Sequence, residues 1–266
     1  MSNHYLYRSV FISDLHLGSL GGKAGAVCDF LRSFECEHLF LVGDIFDGWV
    51  GRSAGKWRQE CTDVVSTILG KCKNGTRVYY TPGNHDAFLR RMNGSELGNL
   101  LIDHSFIHQL ADGRKALVEH GDLFDRSCTT YRPVAFAGAW AYEAALYLNM
   151  GVNTVRTNRN RNPVDFCAAL KRLAKRMTSP KAGFATLLAE HAHAQHCDVV
   201  ICGHVHRPEL VAMLQGVLYA NTGDWVEHRT ALTEHFDGHL ELVNWEAAVE
   251  PLPPIQLVSA YGGHVT

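Results

Sequence analysis

The chain has no long apolar run. No stretch approaches the ~20 residues that a membrane-spanning helix needs, and the first residues, Met1 to Tyr5, show no basic region followed by an apolar one, so secretion is not expected. Charge of one sign is also lacking. Lys and Arg number 25 against 27 Asp and Glu, a formal charge of −2, which leaves no global field to gather nucleic acid or an anionic membrane. Affinity for phosphates, if present, is local. The eight cysteines contain no Cys-x-x-Cys pair and no regular spacing. They read as small core residues in a reducing, cytoplasmic setting, which excludes a disulfide framework and a zinc knuckle. Internal repeats and low-complexity tracts are absent too, so 266 residues with 46% apolar content describe an ordinary globular chain.

What the chain does have is a recurring junction, an apolar strand that ends in glycine or serine and then in a metal-binding side chain. Tyr7–Ile12 runs into Ser13-Asp14-Leu15-His16, and His38–Val42 into Gly43-Asp44-Ile45-Phe46-Asp47. Arg77–Thr81 runs into Pro82-Gly83-Asn84-His85-Asp86. Helices are predicted between them, Ala24–Phe34 with its apolar stripe and Lys56–Lys73, closed by Asn74-Gly75. Alternating strands and helices imply a parallel sheet, and such sheets carry their sites at the carboxyl ends of the strands. If the backbone stays extended, Asp14 and His16 share one face.

Further along, Phe106–Leu110 and Lys115–Val118 form a predicted hairpin about Asp112-Gly113, and the second strand leads to Glu119-His120-Gly121-Asp122. Asp198–Cys202 ends in Gly203-His204-Val205-His206, and Val217–Ala220 in Asn221-Thr222-Gly223-Asp224. Two more strands, Thr230–His235 and Leu240–Asn244, flank Asp237-Gly238, and the Pro-rich then Gly-rich tail from Pro251 reads as peripheral. Collected, Asp14, His16, Asp44, Asn84, His120, His204 and His206 make a mixed nitrogen and oxygen set suited to Mn, Fe or Zn rather than Ca or Mg. Seven groups exceed the needs of one ion. A pair of divalent ions about 3.5–4 Å apart that share a carboxylate accounts for the number.

The ordered motifs Asp-x-His, Gly-Asp-x-x-Asp, Gly-Asn-His-Asp, His-Gly-Asp and Gly-His-x-His resemble those of the calcineurin-like metallophosphoesterase superfamily, and the resemblance spans Asp14 to His206. It implies an α/β fold, a four-layer α-β-β-α sandwich with two mixed sheets, in one domain over 1–266. It also implies that Asp14, His16 and His206 hold one ion and Asn84, His120 and His204 the other, with Asp44 between them. His85 would then protonate the leaving oxygen or stabilise the transition state, oriented by Asp86 or Asp47. Mn is the first expectation for the metal, with Fe or Zn as alternatives.

Within the superfamily, Asp47-Gly48-Trp49 and Asp86 depart from the protein Ser/Thr phosphatases, which carry Asp-Arg-Gly and Gly-Asn-His-Glu. The nearer resemblance is to bacterial UDP-2,3-diacylglucosamine pyrophosphatases of lipid A synthesis and their paralogues. It rests on Ser13 to Gly18, on Val42 to Trp49, on the helical stretch before Gly203, and on Asn221 to Val226. His85 stands where the lipid A enzymes usually carry Arg, whereas the paralogues keep His. The implied substrate is a nucleotide-linked glycolipid or another phosphate-containing small molecule, with peripheral contact at the cytoplasmic face of the inner membrane and no nucleic acid. Residues 131–196 read as a helical cap insertion. Its apolar stripe (Phe136, Trp140, Leu146, Leu148) suits either acyl chains or helix core, and Arg156, Arg159, Arg161, Lys171 and Arg172 suit either substrate phosphates or a solvated face. A general or cyclic-nucleotide phosphodiesterase and a non-catalytic scaffold of the same fold are the alternatives.

Overall fold

The computed structural model describes residues 5–19, 21–48, 57–125, 148–149, 152–157, 162, 183–213 and 216–245. Its first half alternates as the apolar pattern demands: β1 (Tyr5–Ile12), α1 (Ala24–Arg32), β2 (Phe34–Val42), α2 (Gln59–Lys73) and β3 (Arg77–Thr81). Short strands β4 (Ser95–Leu97) and β5 (Leu100–Ile102) precede the hairpin β6 (Ser105–Gln109) and β7 (Lys115–Glu119). Then come α3 (Phe184–Ala194), β8 (Val199–Cys202), β9 (Glu209–Ala212), β10 (Leu218–Asn221), β11 (Thr230–Glu234) and β12 (Leu240–Asn244).

These strands form two mixed sheets. The first has seven strands in the order β12-β11-β1-β2-β3-β5-β4, and the second has five in the order β6-β7-β8-β10-β9. β1, β2, β3 and β5 are parallel, as are β7, β8 and β10, so their carboxyl ends open on one edge of each sheet.

Side-chain alternation decides what each face meets. Val10, Ile12, Leu39, Leu41, Val78 and Tyr80 pack with Val27, Leu31, Val64 and Ile68 of α1 and α2. Their neighbours Phe11, Phe40 and Val42 turn the other way, onto Ala116, Val118, Val199, Ile201 and Ala220 of the second sheet. Strands buried on both faces read as continuous apolar runs for this reason. With α3 against β8 and β10 the layers are helix, sheet, sheet, helix, the expected architecture.

A polar clasp crosses the inter-sheet layer. The Glu234 carboxylate of β11 accepts from Ser9 of β1, from His108 Nε2 of β6 at 2.9 Å, from Arg8 at 2.5 Å and from the Ala111 N–H at 2.8 Å. Such buried acceptors are tolerated because every lone pair finds a donor.

The structure departs from the sequence reading at several places. α1 stops at Arg32 and Phe34 already begins β2, because its ring is needed in the core against Tyr7 and Phe30. β4, β5 and β9 carry three or four residues each, too few for a periodic signal. By contacts the chain divides into two compact units, Met1–Gly121 with Gly183–Thr266, and Asp122–Ala182. The predicted insertion 131–196 runs past the second of these, since α3 buries Phe184, Leu188 and Ala192 within the first unit. Residues 131–147 and 163–182 of that insertion lie outside the described residues. All six cysteines among the described residues are free thiols.

Candidate metal centre

The site grows from the carboxyl ends of β1, β2, β3, β7 and β8. Past the last paired residue, the β1 and β2 backbones stay tied: Asp14 N–H donates to Gly43 O, His16 N–H to Asp44 O and Leu17 N–H to Ile45 O, at 2.9–3.0 Å. The chain is nevertheless not extended here. Asp14, His16, Asp44, His204 and His206 all have positive φ, between 46° and 70°, a region that side chains other than glycine seldom enter. Asp14 and His16 thus converge through left-handed turns rather than through strand alternation. Strain of this kind persists where the surroundings over-determine it and clusters at functional sites.

Two glycines permit the close approach. A Cβ on Gly43 would overlap the His120 ring, and one on Gly83 would overlap the Asp44 carboxylate.

Among the described residues three groups of ligand atoms result, each with its atoms within 4.8 Å of one another: Asp14, His16 and His206; Asp44, His120 and His204; and His16, Asp47 and His85. Asn84 joins the second, its Oδ1 lying 3.1 Å from His204 Nδ1. All seven expected ligands therefore stand at one edge of the fold. In the first group Asp14 Oδ1 is buried without a hydrogen bond, 3.1 Å from His206 Nε2 and 3.8 Å from His16 Nε2, which are themselves 3.3 Å apart. In the second, His120 Nδ1–H donates to Val42 O at 2.8 Å, which turns its Nε2 lone pair toward Asp44 Oδ2 at 3.4 Å. Acceptors converging on one point fit a cation, and the mixed carboxylate and imidazole donors fit a divalent one.

Electrostatics fit that chemistry for the carboxylates and for His16, whereas His206, lowered by burial but raised further by Asp14, stands at about 9 and holds a proton that a bound ion would displace. Burial pushes the Asp14 carboxyl up, but the imidazoles of His206 and His120 override it and hold it at about 2. Asp44 is likewise held well below the usual carboxylate range, burial being outweighed by His120 and His85. Burial, reinforced by His85, pulls His16 down to about 4, so it presents a neutral ring that can ligate.

His85 is held differently. Its backbone N–H donates to Asp44 Oδ1 at 2.7 Å, and its Nδ1–H to Asp47 Oδ1 at 3.1 Å. Burial lowers its pKa, yet Asp44 and then Asp47 raise it above the ordinary value. Asp47, rather than Asp86, touches the ring. Asp86 spends its oxygens elsewhere: Oδ1 accepts from Gly83 N–H at 2.6 Å, and Oδ2 from Tyr80 O–H at 2.5 Å, Ile45 N–H at 2.8 Å and Phe46 N–H at 3.4 Å. It fastens the β3 loop to the β2 loop, and so places Asn84 and His85 against Asp44.

Of the five cationic residues expected to meet substrate, Arg156 is described. It lies in the helical segment 152–157, half-buried, with its Nε–H donating to Asn162 O at 2.8 Å. Arg159, Arg161, Lys171 and Arg172 lie outside the described residues. Sequence reasoning missed Tyr80, Ser13 and Thr222 as supports. The signal was faint: Tyr80 is the next-to-last residue of β3, and Ser13 and Thr222 are the first residues after β1 and β10.

Comparisons with known proteins follow the same lines. Proteins named UDP-2,3-diacylglucosamine hydrolase are 27% identical in Marinobacter nauticus (83% of this chain, 90% of that one), 26% in Shewanella sp. (87% and 95%) and 23% in Tolumonas auensis (76% and 80%). Solved structures that align include a dimetal phosphatase from Danio rerio, at 11% identity over 90% of this chain and 95% of that one with a TM-score of 0.43. Another is a predicted phosphoesterase from Streptococcus pneumoniae, at 11% identity over 94% of each chain with a TM-score of 0.41. The sequence profile described as Calcineurin-like phosphoesterase matches residues 7–208. Most of the chain, with all seven ligand candidates inside that span, thus belongs to the calcineurin-like phosphoesterase family, and the protein is a metal-dependent hydrolase.

Proposed function

We propose that the chain hydrolyses the pyrophosphate of a nucleotide-linked glycolipid of the UDP-2,3-diacylglucosamine kind, with two divalent ions, Mn first among them, in the cytoplasm at the inner face of the membrane. The observation that carries the substrate is the name shared by relatives that align over 76–87% of this chain. Asp14, His16 and His206 would hold one ion, Asn84, His120 and His204 the second, with Asp44 shared. Bound there, the ions supply Lewis acidity toward a phosphoryl oxygen and make water nucleophilic near neutral pH.

The chain's own residues do the rest. His85, whose protonated form Asp44 and Asp47 favour, donates from Nε2 to the departing phosphate oxygen while Asp47 holds Nδ1–H and fixes the ring plane. Asp86 and Tyr80 keep the loop that carries His85 from shifting. Arg156, Arg159, Arg161, Lys171 and Arg172 would meet the phosphates, and the helical insertion would receive the acyl chains.

A panel of Mn²⁺-supplemented assays tests this reading with UDP-2,3-diacylglucosamine, a cyclic dinucleotide and a small chromogenic phosphodiester. The expected result is release of UMP from the first at a kcat/KM well above those of the other two. Preference for the cyclic dinucleotide would overturn the substrate while leaving the phosphoesterase chemistry intact. Replacing residues 131–182 by a Gly-Ser linker should abolish glycolipid turnover and spare the chromogenic diester, and equal loss on both would refute the acyl-binding role.

A further inference from the structure

The loop after β10 lies beyond the matched span of 7–208, yet it reaches the first ligand group from behind. Ser13, Asp14 and Thr222 are all fully buried. Thr222 Oγ1 is 2.6 Å from Ser13 Oγ, and Ser13 Oγ is 2.5 Å from Asp14 Oδ2. The direction of this chain of contacts follows from proton counting. A carboxylate only accepts, and a serine hydroxyl has one proton to give. Ser13 gives it to Asp14, its shortest partner, the alternative acceptor Gly223 O being 3.1 Å away. The Ser13 oxygen then accepts from the Thr222 hydroxyl, whose other acceptor, Cys202 O, stands farther off at 3.3 Å. The relay runs Thr222 to Ser13 to Asp14, and each bond polarises the next toward the charged end.

Its consequence falls on Asp14. Oδ2 takes the Ser13 proton and the His204 N–H at 3.0 Å. The other oxygen, Oδ1, makes no hydrogen bond and faces His206 and His16. Trp225 N–H, from the same loop, holds the Asp14 backbone carbonyl at 3.1 Å.

We propose that Thr222 is a positioning residue for the first metal: through Ser13 it fixes which oxygen of Asp14 ligates and keeps that carboxylate from rotating. Partners of metal ligands at one remove change affinity when removed, by roughly 10–100-fold. A merely structural role, joining the β10 loop to β1, would alter stability and leave metal affinity untouched.

The inference rests on the two-ion part of the proposed function, so its test reads Mn²⁺ binding rather than turnover. The full-length chain and its Thr222→Val, Thr222→Ser and Ser13→Ala variants are titrated with Mn²⁺ in competition with a fluorescent chelator, with stoichiometry from elemental analysis. Ser13→Ala should weaken one of two equivalents roughly 10–100-fold, Thr222→Val should weaken the same equivalent by a smaller factor, and Thr222→Ser, which keeps the hydroxyl, should restore it. The double variant Ser13→Ala/Thr222→Val should bind no more weakly than Ser13→Ala alone, because Thr222 acts through Ser13. Wild-type affinity in Thr222→Val or Ser13→Ala, failure of Thr222→Ser to rescue, or additive losses in the double variant would overturn the relay. Should Thr222→Val not fold, Thr222→Ala, which also removes the hydroxyl, takes its place. A wild-type chain that takes up no Mn²⁺ overturns the proposed function along with the relay, whereas two tight equivalents in every variant overturn the relay alone.

Discussion

Replacing Glu234 by Gln should remove a defined share of stability, and with it a defined dependence on pH. Glu234 is fully buried, and its carboxylate collects Ser9, His108, Arg8 and the Ala111 N–H from two strands and the turn between β6 and β7. Burial pushes its pKa up, but the hydrogen bonds from His108, Ser9 and Ala111 outweigh burial and bring it from 4.5 down to about 2. At roughly 1.4 kcal/mol per unit the carboxylate form is favoured by about 3 kcal/mol. Solvent at Arg8, 20% exposed, trims this to about 2 kcal/mol.

The sign follows from linkage. A depressed folded-state pKa gives stability that is fully present above the unfolded value, near 4.5, and is lost as pH falls through 4.5 toward 2. The difference in unfolding free energy between wild type and Glu234→Gln should therefore be about 2 kcal/mol at pH 7 and shrink steadily between pH 5 and 3. Urea titrations at pH 7, 5, 4 and 3, in chelator and at constant ionic strength, measure it, because the titration of the ligand carboxylates is common to both proteins and cancels. A difference that stays constant from pH 7 to 3 would refute the assignment.

Three other outcomes are expected. His85→Ala should lower kcat by roughly 10²–10⁴-fold with Mn²⁺ content unchanged, and an unaltered kcat would remove His85 from the mechanism. Gly83→Ala puts a methyl group into the Asp44 carboxylate and the His120 ring, so metal content should fall and stability drop by about 1–3 kcal/mol; a wild-type Tm and metal content would contradict the close approach. Asp86→Ala strands three donors at 2.5–2.8 Å, each worth about 1–3 kcal/mol when left unmade, and Tyr80→Phe in the same chain should recover part of the loss. Simple additivity of those two substitutions in urea unfolding would show that Tyr80 and Asp86 do not act together.

The candidate ligands could be picked out from the sequence because parallel strands put chemistry at their carboxyl ends, and an apolar run broken by Gly-Asp or Gly-His marks such an end without any knowledge of neighbours. The Asp112-Gly113 and Asp237-Gly238 hairpins were legible for an equally local reason, the turn conformation those pairs adopt. β4, β5 and β9 were not, since strands this short owe their existence to the partner they pair with.

By itself the sequence determined which residues could ligate, the order in which strands deliver them, and the absence of a charge field. Those are properties of types and spacings along one chain. Only the tertiary structure decided how the groups meet. It set Asp14, His16, Asp44, His204 and His206 in left-handed turns, gave Asp47 to His85 and Asp86 to the backbone, and brought Thr222 from 209 residues away to Ser13. Contacts of that kind depend on the register between strands distant in sequence and on the packing of two sheets, and a spacing within one segment carries no record of either.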